Sequence, residues 1–288
     1  MRRGTPLKSA NHSTGILCLC LAFVLVSLTG SPAMALDPMG PPVSALQQGD
    51  YKLTLDYSFG QRDLDLAQGN WKQRTNGVPS GSGKAVGLTI DNLQEHRAYA
   101  GLGYGLTDSW EVFLRLGAVK SSFGDSLWDS GEEFEGDIDY AAGAGIKATF
   151  YEQGDWQIGG LLQASYVWLD GQLDASSPGW LAPDFIDIWL IEAQIALGAT
   201  YQWTDRVSLY AGPFAHMAMG EFGDTFSTFD SGANNFVTAE YWWDIDKGLN
   251  YGGYLGANVI LGETSTLNVE YQLSGDASTI GLGVMWRI

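Results

Sequence analysis

Two acidic pairs and one histidine are the residues whose types could do chemistry. Asp137-Ile138-Asp139 and Asp244-Ile245-Asp246 each place two carboxylates two positions apart, which could supply groups for general acid–base work. His216 is the candidate base. It lies in Ala215-His216-Met217, with no acidic residue two positions before it and no serine two positions away. His12 and His96 add little, because one falls within residues 1–35, read below as a signal peptide, and the other at the start of a strand. The acidic run Asp125, Asp129, Glu132, Glu133, Glu135, Asp137 and Asp139 offers hard oxygen ligands for Ca²⁺ but lacks the spacing of a calcium loop, so a solvated loop is expected. Trp128, Trp180 and Phe226 could form an external contact surface. No cofactor is implied.

A second set is charged and periodic. Glu111, Arg115, Lys147, Glu192 and Glu270, with Gln194, His216 and Asn258, fall on the polar face of stretches that alternate in character. Buried together, opposite charges stabilise one another only if paired and hydrogen-bonded. The expectation is a salt-bridged plug in which Arg115 and Lys147 meet Glu192 and Glu270. Such a network either fills space or gates it by exchanging partners.

Strands must position these groups. From Tyr51 onward about ten stretches alternate apolar with small or polar residues, as a strand between lipid and lumen requires, because successive side chains point to opposite faces. The first shows Tyr51, Leu53, Leu55, Tyr57 and Phe59 on one face, with Lys52, Thr54, Asp56 and Ser58 on the other. Residues 60–95 read as the longest loop, with a hairpin possible near residues 85–90. Pro213 interrupts the seventh strand and predicts a bulge. Lys247 falls in the outward phase, which requires it to stand above the bilayer and snorkel. Connections alternate short and long, so the turns face the periplasm and the loops the outside. Trp110, Phe150, Trp156, Trp203 and Trp286 lie outward beside short turns, and Tyr57, Phe59, Tyr140, Trp168 and Trp189 lie outward near long ones. Two aromatic girdles result.

The fold class is therefore all-β, an antiparallel up-and-down transmembrane β-barrel of about ten strands over residues 50–288. A soluble barrel would carry a charged outer face, and the small-or-polar face here is rich in Gly, Gln, Asn and Ser instead. Residues 1–35 read as a signal peptide: Arg2, Arg3 and Lys8 precede the apolar run 16–28 and the cleavage pattern Ala33-Met34-Ala35. Three basic residues and no acidic ones leave with it, so the formal charge moves from −18 to −21. That acidity argues against nucleic acid as a partner. Cys18 and Cys20 also fall in this segment, leaving no disulfide. Residues 36–49, with Pro38, Pro41 and Pro42, read as a periplasmic N-terminal segment.

The turn Tyr104-Gly105-Leu106-Thr107-Asp108-Ser109-Trp110-Glu111 resembles the periplasmic hairpins of Gram-negative outer-membrane β-barrel proteins, and Tyr201-Gln202-Trp203-Thr204-Asp205-Arg206 repeats the form. Leu282, Val284, Trp286 and Ile288 are similar to the terminal strand that such proteins present to the outer-membrane assembly machinery, although the usual last residue is aromatic. The resemblance implies outer-membrane lipid and lipopolysaccharide as surroundings and a monomeric barrel. It specifies an architecture and not a job. The functional expectation is a non-enzymatic barrel with a structural or surface-binding role and a mostly plugged lumen. The alternatives are a small porin-like channel and an omptin-like outer-membrane protease, for which His216 lacks the companion acid.

Overall fold

The computed structural model describes residues 36–124, 134–173, 184–230, 232–275 and 277–288. The expected signal peptide lies outside these residues, as do Asp125, Trp128, Asp129, Glu132, Glu133 and Trp180 and the side chains of Asp246 and Lys247.

Twelve strands are described: β1 Tyr51–Leu66, β2 Gly69–Thr75, β3 Val78–Ala85, β4 Leu88–Thr107, β5 Trp110–Phe123, β6 Phe134–Gln153, β7 Trp156–Leu173, β8 Asp184–Thr204, β9 Val207–Asp230, β10 Asn235–Ile260, β11 Ser265–Ser274 and β12 Ala277–Arg287. Ten of them close a ring in the order β11-β12-β1-β4-β5-β6-β7-β8-β9-β10, with β10 pairing back onto β11. Every ladder is antiparallel, and closure leaves the wall without an open edge. The remaining strands, β2 and β3, form a hairpin that leaves the ring and pairs with the upper part of β10.

Phase holds along β1 and β8 and shifts at bulges in β4, β6 and β10, and in all of them the chemistry of the inward face changes with height. On β1 the even positions face inward from end to end: Lys52 and Ser58 are buried low in the barrel, Leu64 and Leu66 higher up. Asp63 and Asp65 point outward there. β8 does the same, with Ile186, Ile188 and Leu190 inside above Glu192 and Gln194. The lower cylinder is thus apolar outside and polar within. The upper collar is polar outside and filled by Leu64, Ile90, Leu93, Phe134, Leu169, Ile188, Phe222 and Trp243.

Three expectations change. Much of residues 60–95 is strand rather than loop, because its apolar residues pack inward in the collar. Pro213 causes no register shift; it stays paired with Gly253 on β10, while the β8–β9 ladder passes from Phe214 to Ala211 with the same register. Lacking an N–H, it interrupts the ladder on one side without adding a residue. Residues 36–46 are not outside the barrel. They run irregularly through the lumen, with Leu36, Asp37, Met39, Val43 and Leu46 buried.

Candidate functional site

The inserted segment is held at its tip by charge. The Asp37 carboxylate accepts hydrogen bonds from Arg97 on β4 (3.0 Å), from Arg115 on β5 and from the Tyr99 hydroxyl (2.9 Å). Its carbonyl accepts from Gln272 on β11 (2.9 Å) and Gln163 on β7 (3.4 Å), so this one residue touches opposite walls. Apolar packing adds to this: Leu36 and Met39 sit against Leu161, Ala196, Tyr210, Phe214 and Tyr254. Burying such a side chain is worth about 1.5–3 kcal/mol.

Further down the segment, the backbone takes the place of side chains. Lys147 donates to the carbonyls of Met39 (2.6 Å) and Pro41 (2.9 Å). Glu270 accepts from the Met39 N–H (2.9 Å), from Gln272 (2.7 Å) and from the Tyr210 hydroxyl (3.1 Å). Glu111 is fully buried; it accepts from the Ala45 N–H (2.8 Å) and pairs with Lys52. An irregular segment has unpaired backbone groups, and the wall satisfies them.

Above Asp37 lies a second cluster. Glu192 pairs with both Arg62 and Arg97, and Glu95 pairs with both arginines at 3.3 and 3.0 Å. All five sequence-derived residues therefore face the lumen, but the expected pairing of Arg115 and Lys147 with Glu192 and Glu270 does not occur. Asp37 and the peptide carbonyls stand between those groups. Sequence reading missed Asp37, Arg62, Glu95 and Arg97. The period-two phase carries Arg62, Glu95 and Arg97 inward once β1 and β4 are extended into the collar; no periodicity marks Asp37.

The outer wall decides where the cylinder sits. Leu114, Leu116, Leu162, Ile195 and Leu197 are all more than half exposed on the outside of a ring whose interior is already filled. Trp110, Phe150, Trp156 and Trp203 edge this belt below, and Tyr57, Tyr140 and Trp168 above. Apolar surface of this extent is stable only against hydrocarbon, with amphipathic rings at the two interfaces. The chain is an outer-membrane β-barrel. No protein-family model matches this barrel, and no curated protein matches it either. Among solved structures it is similar to the translocator domain of the autotransporter NalP from Neisseria meningitidis (12% identity, 96% of this chain and 96% of that one, TM-score 0.40). It is similar also to OprG from Pseudomonas aeruginosa (12%, 84% and 97%, 0.41) and to the toluene transporter TodX from Pseudomonas putida (10%, 89% and 99%, 0.41). At this level the likenesses assign the barrel no role.

The residues first considered for chemistry have other surroundings. His216 bonds to the Ser274 hydroxyl (3.1 Å) and stacks on Phe214. Asp139 accepts from the Asp170 N–H (2.7 Å), and Glu135 pairs with Lys120 on the surface. Among the described residues no group of three or more histidine, cysteine or acidic side chains could hold a metal ion.

Proposed function

We propose that this protein is a closed, non-catalytic outer-membrane barrel whose binding role lies on its extracellular collar. One observation carries the reading: the lumen holds two fillings in series, segment 36–46 with the buried charges that hold it below and the apolar block of the collar above. Ions crossing it would meet buried ion pairs and then a dry constriction that disfavours water. Single-channel recording in planar bilayers tests this. The expected trace is flat; discrete steps that grow when Glu192→Gln or Glu270→Gln is introduced would overturn it.

A gated channel is the second reading, supported by a cavity of about 110 Å³ beside the inserted segment. Lys52, Arg115 and Lys147 line it, and so does Asp56, a carboxylate with no ion pair within 4.0 Å among the described residues. Asp56 could take over those cations if the segment withdrew. Voltage- or ligand-induced steps that disappear in Asp56→Asn would favour this second reading over the first.

A further inference from the structure

We propose that the outer face of the β2–β3 hairpin binds the phosphorylated oligosaccharide of lipopolysaccharide. This rests on the surface-binding reading above and is independent of whether the lumen conducts.

Among the described residues, the hairpin is where the collar gathers positive charge outside ion pairs. Residues 66–90 contain Lys72, Arg74 and Lys84 and no acidic residue, in a chain with 33 acidic residues against 15 basic ones. All three cations are exposed, and none forms an ion pair among the described residues. Elsewhere the cations are committed: Lys52, Arg62, Arg97, Arg115 and Lys147 are buried, Lys120 pairs with Glu135, and Arg287 donates to the Ala45 carbonyl. Arg206 sits in a short turn at the opposite end of the barrel.

The three cations share one rigid face. Asn76-Gly77 turns the hairpin with both residues at positive φ (49° and 79°), as a two-residue hairpin turn requires. Asn76 then ties the tip to β10 through Asn235 (2.8 Å) and the Phe236 N–H (2.9 Å). Trp71 lies on the inner face, over Gly83 and Gly81, where added Cβ atoms would come within 2.7 and 3.1 Å of its ring. The alternate positions Lys72 and Arg74 therefore project outward. Lys72 stands over the Trp242 ring at 4.6 Å, and Lys84 is fixed by Asn70 at 2.7 Å. Of the acidic groups nearby, Glu240 is opposite Lys72 on β10, and Asp244 is lower on the same strand.

Height selects the ligand. Lys72 stands opposite Glu240 in the β2–β10 ladder, well up-strand of the lipid-facing Leu249 and Tyr251. At strand rise and barrel tilt this places the cations about 20 Å above the apolar belt. Lipid headgroup phosphates are too low for that face. Phosphates on the glycan chains that surround an outer-membrane protein reach it, and three fixed cations facing sideways along the membrane complement them.

The test measures binding of the full-length barrel in detergent to two probes, lipopolysaccharide with its phosphorylated core and the same material after removal of the glycan phosphates. A triple variant, Lys72→Gln, Arg74→Gln and Lys84→Gln, is compared; all three positions are exposed, and a retained heat-modifiable band confirms its fold. The expected result is a loss of about tenfold in affinity for the phosphorylated probe, shrinking with added salt, and no loss for the other probe. If the variant binds both probes as the native chain does, this proposal fails while a surface-binding role survives. If the native chain binds neither, both fail.

Discussion

The carboxylate of Asp37 is hydrogen-bonded to the guanidinium of Arg115, so the irregular segment before the first strand is latched to the wall of the third strand of the ring. Arg97 shares the same carboxylate at 3.0 Å. Asp37→Asn removes the charge that compensates two buried guanidinium groups, and breaking a buried pair on one side costs about 3 kcal/mol. Equilibrium unfolding in detergent should show that loss. Restoring part of it with Arg115→Met in the Asp37→Asn background would separate the uncompensated charge from lost packing.

Most of the wall was legible because one rule governs it. Lipid on one side forces an apolar residue at every second position, and Tyr51 to Phe59 or Trp156 to Trp168 obey it without exception on the outward face. Above the membrane the strands exchange environments, and β4, β6 and β10 also shift phase at bulges, so Leu64, Ile90, Leu93 and Phe222 sit inside while polar residues face water. A reader who expects apolar residues outward sees the pattern fade and places a loop there. The charge network was half legible for the same reason. Lumen-facing positions follow from phase, but partners depend on Asp37 and on the backbone of residues 38–45, which have no period to read.

Glycines shape the seat of the inserted segment. A Cβ on Gly105 would lie 1.9 Å from the Gln47 carbonyl oxygen, and one on Gly159 would lie 2.8 Å from the Pro42 carbonyl and 2.9 Å from Val43. Backbone on both sides leaves no soft partner to yield. Gly105→Ala and Gly159→Val should therefore displace residues 36–46. A cysteine introduced at Ser44 reports this by its labelling rate with a water-soluble thiol reagent, expected to rise at least tenfold. Gly253→Ala is the control, because its Cβ would meet only the Gly212 carbonyl oxygen, at 3.9 Å. Equal labelling in all three would show that the segment is not seated on those glycines.

At the rim, Asp139 sits one residue above Tyr140 of the upper girdle, and its carboxyl is pushed up from 3.8 to about 6. Burial is the main cause; the Asp170 carboxyl and the charge of Asp137 add to it, and the Asp170 N–H opposes it. A folded value above the unfolded one means that the folded chain holds the proton more tightly. Stability therefore rises as pH falls through about 6, and the gain is complete below about 3.8. Asp139→Asn mimics the protonated form. It should raise the unfolding midpoint at pH 8 and leave it unchanged at pH 3.5; a gap of equal size at both would contradict the linkage.

The two fillings of the lumen make different demands on a mutant. Deleting residues 36–46 opens the lower cylinder but leaves Leu93, Ile188 and Leu190 packed across the collar, each essentially inaccessible to solvent. A constriction lined by such side chains excludes water and so excludes ions. The deletion alone should lower stability, because Arg97, Arg115 and Lys147 lose partners, yet it should leave bilayer conductance at baseline. Leu93→Asn with Ile188→Asn in the intact chain should also stay closed, since the lower segment remains. Only the combination should give discrete steps. Conductance in the deletion alone would mean that the collar passes ions and that residues 36–46 are the sole barrier.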